Sequence, residues 1–206
     1  MTPRRLDSKN GLVRMLTFGL WLLVANGLLH AQGSPQAEHA PVGWFLARNN
    51  PTNYRTGVER ADLHGGLPSA YLASLAKGNG FGTLMQLISA ANYAGKRVRL
   101  RGWVKSQDVG DWAGLWMRVD KEKETVAFDN MQDRRITGAQ PWSTYDVVLD
   151  VPEDATSISF GILLSGSGKV WLNEMSFEVV DLGTVTTGTN STETLPQRPV
   201  NLGFDE

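Results

Sequence analysis

The residues best suited to chemistry are tryptophans interleaved with cations. Along Arg97 to Lys105, Val98, Leu100 and Val104 fall on one face of an extended chain, and Arg97, Arg99, Arg101, Trp103 and Lys105 on the other. Along Leu115 to Asp120, Leu115, Met117 and Val119 alternate with Trp116, Arg118 and Asp120. If the two stretches lie in one sheet, Trp103, Trp116, Arg101 and Arg118 line one surface, with Gln86 joining from another strand. Sugar rings stack their apolar faces on aromatics while guanidinium and amide groups take the hydroxyls, so this mixture suits a carbohydrate cleft. The same pattern fits a second, smaller core in which loops cover Trp103 and Trp116 and the arginine stems lie over the rings.

Two further stretches carry recognition chemistry. Trp112 stands in the Asp108 to Gly114 stretch, and loops at one end of a sandwich are frequent binding sites. The Phe128 to Arg135 stretch offers oxygens from Asp129, Asn130, Gln132 and Asp133 and a bidentate donor in Arg134. It reads as a ligand-contacting loop, or as a turn in which Asp and Asn bond their own backbone and Asp129 pairs with Arg134.

Catalysis has little to stand on. Past the first 31 residues the histidines are His39 and His64. Asp62-Leu63-His64 has the spacing of an orienter and a base, yet no Gly-x-Ser-x-Gly elbow supplies a nucleophile. A lone histidine beside Gly65-Gly66 also reads as a solvated turn residue. Asp111 and Asp129 are a carboxylate pair for glycoside hydrolysis only if the fold sets their separation. The chain has no cysteine, which excludes disulfides, thiolate metal sites and thiol nucleophiles. No phosphate-binding or dinucleotide loop occurs in a strand-turn-helix context. A protein without catalytic residues or cofactor is expected.

The elements that must position these side chains are short strands. Among 206 residues, 41% are hydrophobic and 20% charged, the net charge is −1, and no basic stripe marks a nucleic-acid partner. Strands are expected near 43–48, 55–62, 69–76, 81–90, 97–106, 113–120, 124–129, 142–151, 157–165 and 169–180, separated by Gly, Pro, Asn and Asp. Leu84 to Ala94 also has the apolar density of a helix, but Phe81-Gly82-Thr83 before it favours a strand. Trp171, Met175, Phe177 and Val179 are expected on one core face, and Trp44 and Trp142 as packing anchors at strand starts. This spacing predicts an all-β sandwich or barrel.

Residues 1–31 read as a secretory signal. Arg4, Arg5, Lys9 and Arg14 precede a mostly apolar run, Met15 to Leu29, shorter than the roughly 20 residues of a comfortable membrane span. An uncleaved anchor is the alternative, and the only one that brings a membrane into play. The expected organisation is then a linker over 32–41, the sandwich over 42–182, a flexible Thr/Gly/Ser-rich linker over 183–194 and a final segment over 195–206. In that last segment Val200, Leu202 and Phe204 share a face and suit a returning edge strand. The protein is expected to be a monomer exported to the periplasm or beyond.

The order Trp142-x-x-Tyr145-x-Val147-x-Leu149-x-Val151-Pro152, continuing through Ile158, Gly161, Leu164, Gly166 and Gly168 to Val170-Trp171-Leu172, resembles the final three strands of a carbohydrate-binding, galactose-binding-like jelly roll. Gly95-Lys96-Arg97-Val98-Arg99-Leu100-Arg101-Gly102-Trp103 resembles an earlier strand of that fold, and Asn201-Leu202-Gly203-Phe204-Asp205-Glu206 the phrase that opens such modules. The resemblance implies a jelly-roll β-sandwich and a carbohydrate or an envelope protein as partner. It also implies a structural calcium where the family has Val-Trp-hydrophobic-Asp-Asp. Here Asn173-Glu174 replaces the acidic pair, and an amide oxygen brings no negative charge to such a site.

Overall fold

The computed structural model describes residues 39–49, 53–75 and 80–190. The expectations for the secretory signal at 1–31 and the returning segment at 195–206 lie outside the described residues. Within them there is no α-helix and there are ten strands: β1 (Phe45–Arg48), β2 (Tyr54–His64), β3 (Leu67–Ser74), β4 (Phe81–Ser89), β5 (Lys96–Lys121), β6 (Glu124–Asp129), β7 (Ile136–Val151), β8 (Ser157–Ser165), β9 (Lys169–Val180) and β10 (Thr189–Asn190). All pair antiparallel.

The two strands expected at 97–106 and 113–120 are one continuous strand. The first part of β5 pairs with β7 on one side and β9 on the other, and its last part with β8 and β6. The hydrogen-bonded network therefore folds over at β5 into two layers, β2-β3-β9-β5-β7 and β1-β4-β8-β5-β6-β10. The fold falls between Ser106 and Ala113, where the β5–β7 register shifts repeatedly and Asp108 adopts φ +53°. The Ser165 to Gly168 turn, which carries the chain from one layer to the other, nests against this bend. A side chain at Gly168 would sit 2.7 Å from Val109 Cα, so only glycine fits.

The inward faces close the core: Leu84, Leu115, Met117, Ile158, Ile162 and Leu164 from one layer, Val98, Leu100, Val104, Leu149, Val170 and Leu172 from the other. Each is almost fully buried, a contribution of about 1.5–3 kcal/mol per side chain.

β9 departs from strict alternation. Arg101 pairs with Ser176 but Trp103 with Asn173, so β9 carries an extra residue, and Glu174 sits at φ +46°. One inserted residue exchanges the faces of everything beyond it. Met175 and Phe177 pack against the core, whereas Trp171 stands on the outer face, buried by other means. This corrects the expectation that the four share one core face.

Asn173 explains the missing acidic pair. Its Nδ2 donates to Leu67 O at 3.1 Å, Pro68 O at 3.3 Å and Ser69 Oγ at 3.0 Å, and its Oδ1 accepts from Glu174 N at 2.7 Å. A carboxylate there would oppose two carbonyl oxygens, so the amide ties β9 to the β2–β3 hairpin in a way aspartate cannot.

Residues 183–190 also differ from a flexible linker. Thr187 N donates to Val148 O at 2.9 Å, Val148 N donates to Thr187 Oγ1 at 2.8 Å, and Thr189 and Asn190 pair with Phe128 and Ala127 of β6. A Thr/Gly-rich composition signals weak intrinsic preference, and here unpaired backbone on β6 and β7 supplies the partners.

Candidate ligand-binding surfaces

The outer face of the β2-β3-β9-β5-β7 layer carries the cations read from the sequence, and each arginine meets a carboxylate across the sheet. Arg97 binds Asp150 through two hydrogen bonds of 2.7 and 3.0 Å, Arg101 binds Asp146 through two of 2.6 Å, and Arg99 contacts Glu178 at 2.8 Å. The face is a ladder of ion pairs, not a basic surface. Arg101, expected to contact ligand, is paired with Asp146.

Farther along this face lies an aromatic run. His64, at the end of β2, stacks on Trp103 of β5 with centroids 4.3 Å apart and planes at 32°, and meets Trp142 of β7 at 5.0 Å. Both tryptophans are half-buried. Glu174, placed by the bulge, brings Oε1 to 3.3 Å from His64 Nδ1, but misaligned for a hydrogen bond, and Nδ1 has no hydrogen-bond partner. The register Val104–Ser143 brings Trp142 to this face. The signal was present in the sequence: Trp142, Thr144 and Asp146 alternate with Val147, Leu149 and Val151, the same pattern that flagged Trp103.

Trp171, on the same face, is 4% exposed and enclosed. The ammonium groups of Lys169 and Lys105 lie 4.4 and 5.0 Å from its ring centroid, and its Nε1 donates to Glu59 Oε2 at 2.7 Å. Lys169 Nζ donates to the same oxygen at 2.6 Å. Burial alone would raise the Glu59 carboxyl. The hydrogen bonds from Lys169 and Trp171 and the charges of Lys169 and Lys105 outweigh it and hold the group below its ordinary 4.5. A carboxyl depressed by folding stabilises the fold above its unfolded value, and that contribution is lost as pH falls through and below 4.5. Glu59→Gln is therefore expected to lower stability by about 1–2 kcal/mol at pH 7, and by progressively less below pH 4.5. Urea melts from pH 7 to pH 3 check this, and a constant difference across that range would refute it.

Trp103 and Trp116 do not line one surface. Because β5 crosses between layers, Trp116 lies on the outer face of the opposite layer, with the sandwich between the two rings. It is 8% exposed, and its Nε1 donates to Thr83 Oγ1 at 2.7 Å. Arg118, beside it along β5, binds Asp120 at 2.9 Å. Trp112 sits at the bend, half-buried, with the Arg135 guanidinium 5.8 Å from its ring centroid.

The 129–134 segment is held by its own groups. Asp129 is buried, accepts from Met131 N at 2.8 Å, from Arg134 at 2.6 and 3.2 Å, and from Thr187 Oγ1. Asn130 Oδ1 accepts from Gln132 N at 3.2 Å, an Asx turn. With its oxygens so engaged, Asp129 is not open to a ligand.

Gln86 faces neither outer surface. With Trp44, Tyr93, Phe160, Ser176 and Phe177 it lines a cavity of about 380 Å³ between the layers. Among the described residues no metal-competent cluster of three His, Asp or Glu occurs.

No family model matches the chain. It is 43% identical over 167 residues to an uncharacterised HTH-type transcriptional regulator, YbfP, of Bacillus subtilis (strain 168), taking in 80% of this chain. The chain spans 57% of the length of that curated relative. Among solved structures, the enzymatically active domain of bacteriophage CBA120 tailspike protein 4 aligns with TM-score 0.52 at 19% identity, over 72% of this chain and 21% of that one, and shares the fold. The CBM22-1 xylan-binding domain of Paenibacillus barcinonensis Xyn10C aligns with TM-score 0.49 at 15% identity, over 69% of this chain and 90% of that one. Family 22 and other carbohydrate-binding modules of the β-sandwich superfamily recur among the similar structures.

Proposed function

We propose that this sandwich is an exported, non-catalytic module that binds a carbohydrate on the outer face of the β2-β3-β9-β5-β7 layer, at Trp103, Trp142 and His64. The observation that carries the reading is the partly exposed aromatic run Trp103–His64–Trp142 beside the Glu174 carboxylate. A sugar laid on such a run stacks one apolar face and leaves its other hydroxyls in water, so an open platform does not have to satisfy every hydroxyl. The Arg101–Asp146 pair at the rim offers donors and acceptors without net charge, which suits a neutral ligand. The His64 ring is held between two indoles, which supports positioning and not proton transfer.

The test is a glycan array probed with the chain from Gln32 onward. Binding is expected from the parent and at least a tenfold loss in Trp103→Ala and Trp142→Ala, with Trp116→Ala keeping its affinity in whatever fraction folds. Equal binding by all three variants would remove the platform, and silence across the array would remove the sugar.

A second reading draws on the 43% identity to the HTH-type regulator. There the sandwich is the ligand-sensing portion of a regulator, and its neutralised arginine ladder argues against direct contact with nucleic acid. The two readings differ in compartment, and fractionation of the tagged full chain separates them. Recovery outside the cytoplasm supports export, and retention within it supports the regulator.

A further inference from the structure

The cavity between the layers is chemically unlike the outer platform. Phe160 and Phe177 stack with centroids 4.8 Å apart and planes at 28°. Trp44 stands edge-on to Phe160 at 83°, and Tyr93 edge-on to Phe177 at 84°. Ile88, Leu100 and Met175 add apolar side chains to a lining that is polar in part. No Asp, Glu, Lys, Arg or His lines the space. The inward-facing side chains of the lining bring three polar groups, the Gln86 amide, the Tyr93 hydroxyl and the Trp44 indole N–H, whereas Ser176, level with Arg101 in the register, carries its hydroxyl on the exposed outer face. Gln86 lies on β4 directly across from Phe160 on β8, and its amide makes no side-chain hydrogen bond among the described residues.

We propose that this cavity is a second binding site, for a small, flat, uncharged molecule of one or two fused rings that carries a carboxamide or an equivalent donor–acceptor pair read by Gln86. A volume of about 380 Å³ lies at the lower end of ligand pockets and suits a bicyclic ring, not an oligomer. Aromatic walls favour a planar apolar body. An amide that offers both donors and an acceptor is matched by a partner that offers the same in reverse. A charged ligand would lose part of its water with no counter-ion on the walls, and a sugar would bring more hydroxyls against the aromatic walls than three polar groups can satisfy. The site is independent of the platform at Trp103.

The experiment is calorimetric titration of the full chain with naphthalene-2-carboxamide, indole, 2-naphthoate and glucose at pH 7. The carboxamide is expected to bind, 2-naphthoate at least tenfold more weakly, and glucose not at all. Gln86→Leu is expected to weaken the carboxamide at least fivefold and leave indole unchanged. Ile88→Trp, which fills the space, should abolish both, and circular dichroism and melting curves confirm that each variant folds. Trp103→Ala should change none of these affinities, so failure of the sugar platform and failure of this site are told apart. Equal binding of carboxamide and carboxylate, no effect of Gln86→Leu, or no heat from any ring compound at millimolar concentration would each overturn the proposal.

Discussion

Asp129→Ala is expected to destabilise the protein by about 3 kcal/mol, a fall of roughly 6–12 °C in melting temperature for a domain of this size. The side chain is 5% exposed and accepts from three donors in two segments: the Met131 amide and the Arg134 guanidinium within its own turn, and Thr187 on the approach to β10. Removing it leaves the buried Met131 N–H without an acceptor and takes from Arg134 its closest anion. Arg134 keeps partial compensation in Asp133, at 2.9 Å, and in Asp146 O, at 3.0 Å, and is itself a third exposed, which keeps the cost below that of a fully buried pair. Asp129→Asn should lose less, because Oδ1 can still accept from Met131 while the amide nitrogen opposes Arg134. Hydrogen exchange gives the sharper readout. The Thr187 amide should lose protection in Asp129→Ala well before the β5 core does, since its segment is fastened through this carboxylate. A variant as stable as the parent, or uniform loss of protection, would show that the segment is held by other contacts.

How much of this was legible in the sequence follows from what is local. The strands over 142–180 could be placed because period-two alternation and turn residues act within a few positions. The bend in β5 could not. Val109-Gly110-Asp111 between two alternating runs has the composition of a chain reversal, and only the close approach of Gly168 to Val109 makes it a crossing between layers. Taken as a reversal within one sheet, the same stretch puts Trp103 and Trp116 on a common face. The bulge at Glu174 is equally silent, because a non-glycine residue at positive φ carries no compositional mark, yet it moves Trp171 out of the core. The aromatic run stood half in view: Trp103 was flagged by its polar-face parity, Trp142 has the same parity, and His64 joins them only through a hairpin end and a register across three strands. The carboxylate partners of the arginines were out of reach for the same reason, since Arg97–Asp150 and Arg101–Asp146 span 53 and 45 positions. Residue type proposed a basic face, and strand pairing neutralised it.

Gly161→Ala is expected to cost about 3 kcal/mol or more, from space alone. Gly161 has no unusual φ, so backbone conformation does not demand glycine there. A Cβ at this position would lie 2.1 Å from Leu84 O and 2.8 Å from Met85 Cα. Both are backbone atoms of the paired strand, so no side chain can swing away, and the methyl fits only if β4 and β8 separate. Separation would strain the bond from Trp116 Nε1 to Thr83 Oγ1 and the one from Thr83 Oγ1 to Ile162 O, at 2.7 and 2.9 Å, which clasp β4 to β5 and to β8. It would also move Gln86 relative to Phe160, the neighbouring pair in the register, and so reshape the cavity between the layers. Gly43→Ala is the control. Gly43 has φ +83° but open space around its added methyl, so only the left-handed conformation is penalised, at about 1 kcal/mol. Thermal melts of the two variants should thus separate by several degrees. In Gly161→Ala, any affinity for naphthalene-2-carboxamide should fall along with stability. Equal melting temperatures for the two variants would mean that β4 and β8 part easily, and that the cavity they frame is not held to a fixed width.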